Sequence, residues 1–250
     1  MGYNLSMDAF KFLSLIFLGF IIFEAVRIII GSQKAVQAGK KVKPVSQSIL
    51  GSTANLLVIG DSTSYGTGAT SQANSLVGML AADYSKISIV NASENAMNVA
   101  QVKDKMCSML DQKFDIVMIH VGGIDSLKLT PLDTLRSDLE TIFSTANNMG
   151  AKITVLVSVN NVGSVPLFRF PLSVMYTYRS RQVSQLCDDV CRAQGALHVP
   201  LFTEVQEEPL FSEGGGHFSA DGIHPNDVGY KIWYDKIQSV VRPYISKFND

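Results

Sequence analysis

The feature that most constrains this chain is a repeated alternation of short apolar runs with longer stretches of helical spacing. Leu56–Ile59, Ile87–Val90, Ile116–Val121 and Ile153–Val159 are largely apolar and short enough for strands, and Ala196–Val199 is a weaker fifth. Runs without polar alternation suit strands covered on both faces. Between them, Leu76–Tyr84, Val99–Leu110, Leu132–Met149 and Leu172–Arg192 carry apolar residues at helical intervals, and Val228–Phe248 closes the chain. Strand and helix in turn predict a parallel sheet with helices on both faces. Pro225 predicts the first turn of the last helix.

The 250 residues are 46% hydrophobic and 17% charged, with a net charge of -1. No basic field exists to hold phosphates, so nucleic acid is excluded as a partner. Three cysteines give no disulfide framework. Cys187 and Cys191 stand at helical i, i+4 spacing without a His or acidic cluster, and read as small buried apolar residues. No metal and no cofactor is expected.

The apolar excess is concentrated at the start. Phe12–Phe23 holds no charge, and apolar character resumes at Ile28–Ile30, around Glu24 and Arg27. With Glu24 and Arg27 paired at i, i+3, the stretch Phe12–Ile30 is long enough to cross a bilayer. Glu24, Arg27, Gly31 and Lys34 share one helical face, which also fits a helix lying in the interface. A cleaved signal peptide is a third reading, with Val36 and Ala38 before the cut, but only Lys11 against Asp8 precedes the apolar run. We read 1–30 as an uncleaved membrane anchor or interfacial helix, 31–54 as a polar linker and 55–250 as one domain. Lys34, Lys40, Lys41 and Lys43 lean the domain toward the cytoplasm, as do the unpaired thiols.

Two motifs carry chemistry. Gly60-Asp61-Ser62 directly follows the first strand run, which places Ser62 where ligands bind, beyond the carboxyl ends of the strands. Asp221-Gly222-Ile223-His224 supplies a carboxylate and an imidazole from one late loop, after a flexible Gly214–Gly216 stretch. A neutral serine needs a base within hydrogen-bond reach, and that base needs its tautomer fixed. Either motif alone fits an ordinary helix cap. Together, at opposite ends of an α/β chain, they are far more specific.

On Val58-Ile59-Gly60-Asp61-Ser62-Thr63-Ser64-Tyr65-Gly66 and Phe218–Pro225 followed by Gly229-Tyr230, the chain resembles the SGNH (GDSL) hydrolase family over about residues 55 to 245. The resemblance implies a three-layer α/β/α fold around a five-stranded, parallel, flavodoxin-like sheet, here preceded by the N-terminal hydrophobic helix. It implies Ser62 as nucleophile, His224 as general base and then acid, and Asp221 as the group that orients the imidazole. It also implies an oxyanion hole from the backbone N–H groups of Ser62 and Ala96. The family usually has glycine at Ala96, within Asn91-Ala92-Ser93-Glu94-Asn95-Ala96, and Gly-x-Asn-Asp where this chain reads Gly122-Gly123-Ile124-Asp125. Isoleucine cannot donate a hydrogen bond, so Ile124 removes the asparagine donor. Losing one such donor costs about 10²–10³ in turnover.

Asn95 and Asn160 are candidates to replace that donor. His120, inside a strand run, reads as a satisfied core histidine, and His198 and His217 carry no expected role. Gly123, Ile124 and Phe168, the last in the apolar loop Val162–Met175, are expected to line an acyl pocket. The implied activity is a slow serine ester hydrolase that acts through an acyl-enzyme on a small-molecule or lipid acyl ester. Acyl transfer and a low-activity membrane-bound acyl-ligand binding protein are the alternatives, the latter favoured by Ile124.

Overall fold

The structure, a computed structural model, describes residues 7–207, 209–211 and 216–248. Of the glycine stretch expected to be flexible, Gly214 and Gly215 lie outside the described residues. The chain opens with helix α1 (Met7–Gly39) and enters strand β1 (Ala54–Gly60). There follow α2 (Ser62–Tyr65), α3 (Leu76–Asp83), β2 (Ile87–Asn91), α4 (Val99–Cys107), β3 (Ile116–Val121) and α5 (Gly123–Lys128). Then come α6 (Leu132–Asn148), β4 (Ile153–Ser158), α7 (Leu172–Gln194), β5 (Leu197–Pro200) and α8 (Asp227–Ile245).

The five strands are parallel and ordered β2-β1-β3-β4-β5, the expected flavodoxin-like sheet. Side chains alternate across it. Leu57, Ile119 and Leu156 pack on one face with Val102, Leu139 and Val183 of α4, α6 and α7. Leu56, Met118 and Val155 pack on the other with Leu80, Trp233 and Ile237 of α3 and α8. All six residues of β3 are buried, which is why that run shows no polar alternation. Each such Leu, Ile or Val contributes about 1.5–3 kcal/mol relative to exposure.

β1 lies between β2 and β3, so successive connections leave it in opposite directions and a crevice opens at its carboxyl end. The turns after β1, β2 and β3 all border that crevice. Gly60 is obligatory there, because a Cβ would collide with the carbonyl oxygen of His120 on β3.

The structure corrects three expectations. The helix does not stop near residue 30; it runs unbroken to Gly39, so the first part of the expected linker is helical. Nor is the rest a free tether. Val42 is buried, and Gln47 exchanges backbone hydrogen bonds with Ile89 at 2.9 and 2.8 Å. β2 is the sheet edge, and Gln47 satisfies backbone groups that the edge would leave unpaired. Pro225 is not helical: it bridges to Phe218, and Asn226 caps α8 by accepting from the N–H of Gly229. The 218–225 pairing holds that proline extended.

The polar face of α1 also has a different use from the one its pattern predicts. Glu24 and Arg27 do pair, but Glu24 also meets Arg169 at 3.6 Å and Arg27 Nη1 donates to the Pro166 carbonyl at 3.4 Å. Gly31 packs on Leu167. This face is turned to the domain. The large apolar side chains from Phe10 to Ile30 are left mostly exposed.

Candidate active site

Ser62 begins α2, immediately past β1. Asp61 caps that helix, its Oδ1 accepting from the Thr63 N–H at 3.0 Å and from the Thr63 hydroxyl at 2.6 Å. The cap fixes the turn and leaves Ser62 half-buried at the crevice. The Asp221–His224 loop is held from both sides. Ser219 N–H donates to the His224 carbonyl at 2.7 Å, and Leu167 N–H donates to the Gly222 carbonyl at 3.0 Å. The Tyr230 hydroxyl of α8 donates to the Thr67 carbonyl at 2.6 Å, tying the late loop's helix to the turn after Ser62.

The result is a continuous hydrogen-bonded row. The Ser62 hydroxyl lies 2.8 Å from His224 Nε2, and His224 Nδ1 lies 2.7 Å from Asp221 Oδ2. Asp221 Oδ1 accepts from the backbone N–H groups of Ile223 and His224 at 2.8 and 3.0 Å. Burial by itself would raise the Asp221 carboxyl, but the hydrogen bonds from His224 and the two backbone donors outweigh it and lower the group to about 2. An ionised Asp221 accepts the Nδ1 proton, which leaves Nε2 free to accept from the serine.

Ala96 sits in the turn after β2 with φ of 61°, the left-handed region that favours glycine. The methyl group is accommodated at a cost of about 1–2 kcal/mol. Among the described residues, the N–H groups of Ser62 and Ala96 make no hydrogen bond to protein. Ile124 is half-buried in the first turn of α5 and lines the crevice, as do Gly123, Phe168, Asn95 and Asn160. Asn95 is partly engaged, its Oδ1 accepting from the Thr67 hydroxyl at 2.6 Å. The Asn160 side chain, just past β4, has no hydrogen-bond partner among the described residues. Neighbouring Asn161 is fully occupied: Nδ2 donates to the Thr203 carbonyl and Oδ1 accepts from Thr177.

His120 is buried on β3, in contact with the Thr63 hydroxyl at 3.1 Å and with the Trp233 ring edge-on at 6.2 Å. Burial holds it toward the neutral form. His198 is engaged with Asp188 and Ser158 beside β5. Cys187 and Cys191 are core residues of α7, and burial pushes the Cys191 thiol up to about 12.

Two contributions escaped the sequence reading. Asp125 is fully buried and accepts from the Val99 N–H at 2.9 Å and the Thr130 hydroxyl at 3.0 Å, so it ties the start of α4 to α5. Burial raises its pKa, against those two hydrogen bonds. Its place in the Gly-x-Asn-Asp block was the available signal. The second is α1 itself. Ser32, Ala35, Val36, Gly39 and Lys40 line the same cavity of about 560 Å³ as Ser62 and His224.

A five-stranded 2-1-3-4-5 sheet with Ser, His and Asp meeting at its carboxyl edge defines the SGNH-type α/β hydrolase fold. A model of the GDSL-like lipase/acylhydrolase family matches residues 58–232, and the chain belongs to that family. Among solved structures it is similar to TesA, at 24% identity and a TM-score of 0.58, over 76% of this chain and 98% of that one. It is similar to the psychrotrophic esterase EstA from Pseudoalteromonas sp., at 16% identity and a TM-score of 0.60, over 77% and 98%. It is also similar to the acetylxylan esterase Axe2 from Geobacillus stearothermophilus, at 21% identity and a TM-score of 0.57, over 76% and 94%. These likenesses show the fold. No curated protein sequence matches the chain.

Proposed function

We propose that the protein is a membrane-anchored serine ester hydrolase. The observation that carries this reading is the Ser62–His224–Asp221 row, closed at 2.8 and 2.7 Å and opening on a largely apolar cavity. Ser62 Oγ attacks the ester carbonyl while His224 Nε2 takes its proton. That proton passes to the leaving alcohol, and the acyl group stays on Ser62. Water then attacks, giving its proton to His224, and the acid leaves as Ser62 recovers its own. Asp221 holds the imidazole and stabilises its cation. The N–H groups of Ser62 and Ala96 receive the oxyanion, and the side-chain amides of Asn160 and Asn95, which line the same cavity, are the candidates for a third donor. With Ile124 in place of the usual asparagine, turnover is slow.

The helix is long and apolar enough to cross a membrane, by length and composition. Its last turns wall the cavity, which supports a retained anchor over a cleaved signal. Lys34, Lys40, Lys41 and Lys43 support a cytoplasmic domain.

The test treats the full chain in detergent with a fluorophosphonate, a relative of the monoethylphosphonate that inhibits EstA. We expect one label, on Ser62, absent from Ser62→Ala and strongly slowed in His224→Ala. Folded protein that neither labels nor cleaves short or long acyl esters would sink the enzyme reading.

A further inference from the structure

The anchor and the catalytic cavity are parts of one unbroken helix. Exposed apolar side chains line α1 from Phe10 to Ile30. From Gly31 the helix turns polar on its outer side, with Gln33 and Gln37, and offers Ser32, Ala35, Val36 and Gly39 to the cavity. Ile30 and Ala35 are five residues apart, about 7.5 Å along the axis. The headgroup layer of a bilayer is about 5–8 Å deep on each side. Hydrocarbon reaching Ile30 on the exposed face of α1, the side away from Arg169 and Pro166, therefore places the near edge of the cavity at headgroup level.

The helix is seated, not tethered. Gly31 admits Leu167, and Gly39 admits the Asn95 amide, whose nitrogen would stand 2.8 Å from a Cβ there. Glu24 and Arg27 fasten the same face to Arg169 and Pro166. The same cavity is lined by Leu127, Val162, Val165 and Phe168. The lining is mostly apolar, with Ser62 and His224 among its polar groups.

We propose that α1 is the acyl-chain wall of the active site, and that the substrate is a long-chain acyl ester drawn from the bilayer leaflet that holds α1. This rests on the serine-hydrolase reading above. The chain lies between the Ala35–Val36 side of α1 and Phe168, with its ester at Ser62. The lipid slides along the helix into the cavity without crossing water.

Two measurements on the full chain test this. The first compares labelling of Ser62 by hexadecyl and ethyl fluorophosphonates. We expect the hexadecyl reagent to react at least tenfold faster, and Val36→Asp to lower that ratio tenfold or more. Val36 is 61% exposed, so the substitution removes no core packing. Equal rates for the two reagents, or a ratio unmoved by Val36→Asp, overturn the acyl wall while leaving the hydrolase reading intact. No labelling by either reagent overturns both. The second places the protein in ether-linked phosphatidylcholine vesicles, which contain no carboxylic ester, with a fluorogenic palmitoyl lipid. We expect cleavage when lipid and protein share a vesicle, and at least tenfold less when the lipid is in separate vesicles. Equal cleavage in both arms overturns delivery from the bilayer.

Discussion

At the scale of single residues, the nucleophilic and electrostatic halves of the site are built to different standards. Ser62, His224 and Asp221 are held by a helix cap, a backbone bridge and two N–H donors. In the oxyanion hole proposed above, Ile124 presents hydrocarbon, which cannot donate a hydrogen bond. Ile124→Asn is therefore expected to raise kcat on a short acyl ester at least tenfold, within the 10²–10³ range typical of one oxyanion donor. An unchanged rate would mean that another group, Asn160 or Asn95, already donates. Asp221 gives a second expectation, in stability. Its carboxyl is lowered to about 2 from about 3.9 in an unfolded chain. A depressed carboxyl stabilises the fold above its unfolded value and loses that contribution as pH falls through its folded value. The contribution is about 2–3 kcal/mol. Urea midpoints taken between pH 5 and pH 2 should fall more steeply for the wild type than for Asp221→Asn. Parallel slopes would refute the assignment. The roles proposed for Ser62, His224 and Asp221 were legible in sequence because two short motifs carry them. That Asp125 ties α4 to α5 was not, because its partners are a backbone N–H and a hydroxyl that only folding brings near.

At the scale of elements, the sheet was the more legible part. Buried parallel strands read as unbroken apolar runs, and the five predicted ones match the five observed to within about two residues at each end. The short helices α2 and α5 were not readable, since four or six residues carry no periodicity. The end of α1 was misplaced for a related reason. Polar residues after Ile30 look like a linker, yet Gly31, Ala35 and Gly39 at i, i+4 and i+8 mark a face meant for close packing. Gly31→Trp tests that face. The indole must displace Leu167 or lift the helix, at a cost of about 1–3 kcal/mol. We expect a melting temperature lowered by about 2–12 °C and faster tryptic cleavage at Lys34 and Lys40. A variant that melts and digests like the wild type would show that α1 is not seated there.

At the scale of the whole molecule, position relative to a membrane decides what the site can reach. The lysines that follow the apolar stretch predict a cytoplasmic domain, so a C-terminal reporter that fluoresces only in the cytoplasm should be bright. A dark reporter, with a periplasmic reporter active at the same position, would reverse the orientation. Sequence by itself determined the fold class, the two motifs that hold Ser62, Asp221 and His224, and the apolar helix, because each is written in local pattern or in short motifs. Tertiary structure alone decided that Ser62 and His224 meet at 2.8 Å across most of the chain, and that α1 ends as a wall of their cavity. Such contacts depend on where remote segments come to rest. No periodicity within either segment records its distance from the other.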